Sequence, residues 1–285
     1  MRGYWMVIVA AMLWGTTGTA QALAPVESTP VTVGALRLVL GGLTLLTIAY
    51  LRGTLRNDSA PWRIRPLLFA VIGVAAYQLC FFAGVDRTGV AVGTIAGIGS
   101  APIFAGLLGW LVHGERPDSI WLLSTLLAIA GCTLLAVSGA EIGVDPLGVL
   151  LSVGAGFAYA QYTVSSKALL LLHPPESVMA VMFCLAALLL MPFLLSANLV
   201  WLADPAGLLA VVHLGVIATG LSYVLFAYGL QTIPSATAVT LSLSEPLTAG
   251  VLGVVVVGER LTLPSLVGIL LIFFGLVLLT RPKGL

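Results

Sequence analysis

Apolar residues fall in runs of about twenty along the whole chain, parted by short polar stretches. About 20 helical residues cross a hydrocarbon core of about 30 Å, so each run predicts a spanning helix. Ten are predicted, over roughly residues 4–24, 31–51, 66–85, 90–112, 120–138, 146–166, 177–196, 206–229, 236–257 and 263–280. The interruptions carry turn residues: Pro25 and Pro30, Asn57-Asp58-Ser59 with Pro61, Asp86-Arg87, Arg116-Pro117-Asp118, Asp145-Pro146, His173-Pro174-Pro175, and the uncharged Gln231-Thr232-Ile233-Pro234. Nothing outside the runs is long enough for a soluble domain. The first run imitates a signal peptide, with Arg2 ahead of it and small residues near Ala20. A related form of Trp14-Gly15 returns in the second half of the chain, however, so the run reads as a first span.

An internal repeat organises the runs. Pro102 and Pro246 stand 144 residues apart, as do Gly114-Glu115-Arg116 and Gly258-Glu259-Arg260, Ser100 and Ser244, Ala83 and Ala227, and Gly131 and Gly275. Leu13-Trp14-Gly15-Thr16 roughly matches Ala158-Tyr159-Ala160-Gln161 with a shift of one residue. Two five-helix halves, 1–140 and 141–285, are therefore predicted. Five is odd, so the second half enters the membrane from the opposite face. That is an inverted repeat, which puts a solute site near the midplane between halves. With the N-terminus inside, Arg2, Arg52, Arg56, Arg63, Arg65, Arg116, Lys167, Arg281 and Lys283 are cytoplasmic, against Arg87 and Arg260 outside. The expected fold is thus an all-α polytopic membrane protein: ten transmembrane helices as two inverted five-helix repeats around a central cavity, both termini cytoplasmic. Each Gly-Glu-Arg then either holds the end of its helix pair or is a plain polar turn.

Composition narrows the function classes. Hydrophobic residues make up 60% and charged residues 8% of the chain, whereas soluble domains carry about 25% charged residues. Mean hydropathy is +1.13. A net charge of +1 gives no reason to expect nucleic acid as a partner. Cys80, Cys132 and Cys184 lie far apart, and His113, His173 and His213 are scattered, so neither metal nor cofactor is expected. No GxxxxGK[ST] occurs, which removes ATP as the driver. A membrane-embedded enzyme needs clustered nucleophile, base or metal ligands inside the spans, and the sequence has none. A passive channel stays open as an alternative that flux saturation would separate from a carrier.

Chemistry inside the membrane concentrates at Thr240-Leu241-Ser242-Leu243-Ser244-Glu245-Pro246-Leu247. A carboxylate in such a run costs about 2.5–3.5 kcal/mol to insert, so it should face a cavity or a partner. Pro246 removes a backbone donor, and the resulting break is tolerated only where protein or a watery cavity surrounds it. Two readings follow: a kinked, cavity-facing helix on a solute pathway, or a structural carboxylate that staples two helices. The other candidates are Trp14, Thr17 and Gln21 on one face of the first helix, Arg37 on the second, Tyr77, Gln78 and Phe81 on the third, and Ser100 on the fourth. Tyr159 and Tyr162 on the sixth, Ser222 and Tyr223 on the eighth, and Ser244 with Glu245 on the ninth complete the set. An aromatic, weakly polar wall suits a zwitterion with an apolar side chain, because aromatic faces supply area and attract an ammonium group. Arg37 and Glu245 would meet the carboxylate and ammonium of a solute, or pair with each other or with backbone, or Arg37 would snorkel outward. The fifth, seventh and tenth helices hold almost nothing polar and are expected to face lipid or a neighbouring protomer. Pro102 and Pro246 are candidate hinges.

The repeat, the Trp14-Gly15 of the first helix, and the segments Ala101-Pro102…Gly114-Glu115-Arg116 and Ser244-Glu245-Pro246…Gly258-Glu259-Arg260 resemble the EamA branch of the drug/metabolite transporter superfamily, over essentially the whole chain. Within that branch, size and helix pattern are most similar to the bacterial aromatic amino-acid exporters of the YddG type. The resemblance implies a ten-helix basket in the bacterial inner membrane that exports small metabolites, often amino acids. Neutral and aromatic amino acids lead as solutes, with cationic drugs and other metabolites such as nucleosides or sugars next. Ala101 stands where the second half has Glu245, so a coupling scheme built on a symmetric acidic pair does not carry over.

Overall fold

The computed structural model describes residues 1–23, 30–137, 145–257 and 262–281. Among them the chain is helical throughout. Helices α1 (Arg2–Gly15) and α2 (Thr17–Ala22) are followed by α3 (Pro30–Leu51). Then come α4 (Ile64–Gly89), α5 (Val92–His113), α6 (Ser119–Val137), α7 (Pro146–Leu170), α8 (Pro175–Leu195), α9 (Pro205–Leu230), α10 (Ser235–Val256) and α11 (Leu263–Thr280). Nine of these, α3 to α11, are long and apolar enough to cross a membrane among the described residues. The chain is a multi-pass, all-α membrane protein.

The boundaries have local causes. Gly89, at φ +82°, turns α4 into α5 in a conformation that side chains with a Cβ rarely adopt. Gly114, at φ +69°, ends α5, and the amides of Gly114 and Glu115 bond back to the carbonyls of Trp110 and Gly109. Asp145 caps α7 through the amides of Leu147 and Gly148. The first predicted span comes in two pieces. Thr16 parts α1 from α2, its hydroxyl donating to the Leu13 carbonyl and bonded to His213 Nε2 of α9 at 2.7 Å. The single face expected for Trp14, Thr17 and Gln21 is therefore interrupted after Trp14. Pro102 lies within uninterrupted α5, whereas α10 breaks at Ser242-Leu243, four residues before Pro246.

Close helix pairs meet at small residues, as expected where lipid gives apolar faces no reason to associate. A Cβ on Gly131 of α6 would lie 2.5 Å from the Gly268 carbonyl oxygen, and one on Gly275 of α11 2.8 Å from that of Ser124. Between α4 and α7, a Cβ on Gly84 would strike Ser152, and one on Gly148 the carbonyl of Gly84. Between α9 and α1, a Cβ on Gly229 would strike Val7 and the Gly3 carbonyl. The expectation that the seventh predicted span faces lipid is corrected. That helix, α8, packs along α3 and buries Met179, Met182, Phe183 and Ala186. The outer helices are α6 and α11, the least buried of the nine.

Substituting Gly131 by Val should lower stability by about 1–3 kcal/mol, the usual penalty of overpacking, because its new side chain meets backbone. Gly18→Ala, where nothing lies within 4 Å, should leave it unchanged. Denaturant or thermal unfolding in detergent reads both.

Candidate functional site

Where the helices cross, aromatic side chains form a connected group. Phe81 stacks on Tyr77 at 5.6 Å between ring centres, Tyr77 meets Tyr159 at 5.9 Å, and Tyr159 meets Tyr162 at 5.2 Å. Tyr162 leads to Tyr223 at 6.5 Å, and Tyr223 packs on Trp14 at 4.9 Å and on Phe183 at 4.3 Å. Five helices thus converge: α1, α4, α7, α8 and α9. Phe183 escaped the sequence reading because it stands alone in an apolar run, with no polar neighbour to mark its face.

Buried polar tips need partners, and those of Trp14, Tyr159, Tyr162 and Tyr223 each have one. Tyr159 donates to Ser242 Oγ at 2.5 Å, Trp14 Nε1 to Ser222 Oγ at 2.8 Å, and the hydroxyls of Tyr162 and Tyr223 lie 3.3 Å apart. Ser222 and Ser242 each pass a hydrogen bond on to the carbonyl four residues back, Ala218 and Ala238. The break in α10 is satisfied from within. Pro246 has no amide to offer the Ser242 carbonyl, which instead accepts from the Glu245 amide at 2.9 Å. Ser244 Oγ donates to the Leu241 carbonyl at 2.8 Å. Ser244 is therefore a cap of the break.

Glu245 follows directly and is half-buried, as are Arg37, Tyr77 and Phe81 at the same centre. Its carboxylate interacts electrostatically with Arg37, Tyr77, Tyr159 and Tyr223, yet it makes no ion pair within 4.0 Å among the described residues. Arg37 does not snorkel outward: its Nε donates to Thr219 Oγ1 of α9 at 3.3 Å. Thr219 lies in a π-helical stretch, His213–Leu221, a distortion often found at functional sites.

Other candidates are placed elsewhere. Gln78 is buried and ties α4 to α3 through the Gly34 carbonyl at 3.3 Å. Ser100 bonds back to Gly97 and fills the α5–α7 crossing against Gly156. Thr17 and Gln21 are half-buried on α2, beside α9 and α10. The fifth predicted span is less inert than expected, since Thr125 of α6 is hydrogen-bonded to Thr240 of α10 at 2.9 Å. Among the described residues no group of three metal-ligating side chains comes together. A groove of about 320 Å³ between α1, α10 and α11, walled by Trp5, Met12, Thr248 and Phe273, opens on the outer surface.

The profile of the EamA-like transporter family matches residues 1–137 and again 146–281. The chain belongs to the EamA-like transporter family. The uncharacterized transporter YwfM of Bacillus subtilis is 45% identical to this EamA transporter over 275 residues, covering 96% of this chain and 92% of its own. The threonine/homoserine exporter RhtA of Escherichia coli K12 is 31% identical, with 90% and 83% covered. A crystal structure at 22% identity superposes with a TM-score of 0.85, over 98% of this chain and 96% of the other, which shows a shared fold. The chain is thus a membrane transporter and not an enzyme.

Two substitutions separate the EamA site's stability from its charge. Glu245→Gln should leave the unfolding temperature unchanged or higher, since it removes an unpaired intramembrane charge. Ser242→Ala strands the Tyr159 hydroxyl and should cost about 1–3 kcal/mol. Thermal unfolding of the purified variants checks the pair.

Proposed function

We propose that this transporter exports small zwitterionic metabolites, neutral and aromatic amino acids first among them, by alternating access across the bacterial inner membrane. The observation that carries the reading is the pair Arg37 and Glu245. Opposite charges sit half-buried at one aromatic centre without neutralising each other by direct contact. Glu245 is then free to meet an ammonium group and Arg37 a carboxylate, while Tyr77 and Phe81 offer ring faces to an apolar side chain. A phosphorylated solute fits poorly, with one arginine to meet its charge. The name of the related RhtA, a threonine/homoserine exporter, agrees with this solute class.

The architecture behind it is a pair of inverted repeats, 1–140 and 141–285, with α1 and α2 together as a tenth span. Several contacts support that arrangement. Gly131 against Gly268 becomes Gly275 against Ser124 when the halves exchange at the 144-residue spacing. Gly84 against Ser152 is echoed by Gly229 against Val7, and Gly148 against Gly84 by Gly3 against Gly229, each one residue off the 144-residue spacing. Such an axis in the membrane plane puts the solute site at the midplane. Arg52 and Lys167 lie at one end of the bundle, and Arg2 and Arg116 adjoin residues there. The positive-inside rule makes that end, and both termini, cytoplasmic.

Uptake of labelled threonine, phenylalanine and tryptophan into liposomes holding the purified protein tests the reading. Saturable flux, competed by other neutral amino acids, is expected, with a loss of at least tenfold in Glu245→Gln. No flux of any of them by a folded protein, alongside flux of a monovalent organic cation, would replace the zwitterion with a cationic solute.

A further inference from the structure

At the basic end of the bundle, three polar clusters each tie a residue before 138 to a residue after 144. Arg52, just past α3, meets Glu176 in the first turn of α8 at 2.6 Å, and the same carboxylate oxygen accepts from Tyr228 of α9 at 2.6 Å. The bond and charge of Glu176 raise the Arg52 guanidinium above its ordinary value. Glu115, after α5, pairs with Lys167 of α7 at 2.6 Å, and its second oxygen accepts from the Ser235 amide at 2.7 Å, so it caps α10 from the other half. Lys167 donates in turn to the Ile233 carbonyl at 2.5 Å. Asp58, between α3 and α4, holds His173 at 2.9 Å, and Trp62 stacks on the imidazole at 4.1 Å. Glu115 thus joins the halves and is more than a polar turn, while Gly258-Glu259-Arg260 lies outside the described residues.

The opposite end differs. Among the described residues, the cross-half ion pair there is Arg87 with Asp145, at 4.0 Å and with side chains 49% and 39% exposed. Exposed pairs of that kind contribute little, because water screens them. In the basic-end clusters the carboxylates are shielded: Glu176 is 1%, Asp58 4% and Glu115 15% exposed. Arg52 itself is 57% exposed, so what sets this end apart is the burial of the carboxylates, and removing the partner of a buried carboxylate leaves its charge uncompensated.

We infer that Asp58–His173, Arg52–Glu176–Tyr228 and Glu115–Lys167 are the gate that shuts the transport site from the basic side. The inference rests on the alternating-access reading above. A carrier of this kind must open at both ends in turn, and these ties are what has to part at the basic one. Polar ties suit that task. On opening they exchange one another for water, whereas an apolar seal would expose hydrocarbon. Glu176 Oε2 and His173 Nε2 are buried without a hydrogen-bond partner, and both gain water when the gate parts, which narrows the gap between closed and open states.

The test needs no known solute. In a background with Cys80, Cys132 and Cys184 replaced by Ala, Ser166→Cys reports from α7, where Ser166 is fully buried one residue before Lys167 and bonds the Tyr162 carbonyl and Met182 Sδ of α8. A membrane-impermeant maleimide applied to the basic side of proteoliposomes should label it slowly, and Glu176→Gln or Glu115→Gln should raise the rate at least fivefold. Unchanged rates in variants that remain folded would overturn the gate. Because those variants can misfold, Asp58→Cys with His173→Cys is the second arm. Bridging the two thiols with a short bifunctional reagent should hold labelling of the Ser166→Cys reporter at its slow rate even with Glu115→Gln present. Fast labelling in the bridged protein would contradict the gate. Failure of amino-acid flux would count against the solute class and leave both labelling arms intact.

Discussion

Hydrocarbon offers no water to a free backbone carbonyl, so a proline in a spanning helix requires the protein to supply partners nearby. Much of this site answers that requirement. Pro246 leaves the Ser242 carbonyl without its usual amide, the Glu245 amide turns back to take it, and the Ser244 hydroxyl covers Leu241. The turn that results aims Ser242 at Tyr159. Glu245 is left at the centre, near Arg37 but not bound to it. Tyr159 then relays to Tyr162, Tyr223 and Trp14, so one break in α10 is coupled to α7, α9 and α1.

Polar groups divide into two kinds by position. At the centre, most hydroxyls and the Trp14 ring nitrogen satisfy one another, and among the described residues Arg37 and Glu245 make no ion pair. At the basic end, charges are paired directly across the chain's two halves. The division matches what a carrier needs. Charges meant for a solute must stay unspent in its absence, and charges meant to hold a closed state must be spent until it opens.

The apolar runs made most of the fold legible in the sequence, because span length is set by the bilayer and turn residues mark each end. The predicted bounds of the second to tenth runs agree with α3 to α11 to within a few residues. The break at Thr16 was not legible, since the partner its hydroxyl meets there, His213, is distant in sequence. Pro246 and Glu245 announced the site, because proline and carboxylate are rare in such runs. Phe183 did not, being one apolar residue among many, and its role comes from the crossing of α8 with α9. Ser100 and Gln78 read as cavity residues from their polarity, yet they hold helix crossings. Polarity in a membrane marks a need for a partner, and the sequence does not say whether that partner is a solute or a backbone carbonyl.

The central claim is that Arg37 and Glu245 read the two charges of one zwitterion. It is tested most directly by comparing phenylalanine with phenethylamine, which lacks the carboxylate, and 3-phenylpropionate, which lacks the ammonium group. Binding is read from the fluorescence of Trp14, with the remaining tryptophans replaced by Phe. Both analogues should bind at least tenfold more weakly than phenylalanine. Glu245→Gln should remove the penalty for 3-phenylpropionate alone, and Arg37→Gln that for phenethylamine alone. Phenethylamine binding as tightly as phenylalanine to the unaltered protein would contradict the claim and leave Glu245 as a site for cations.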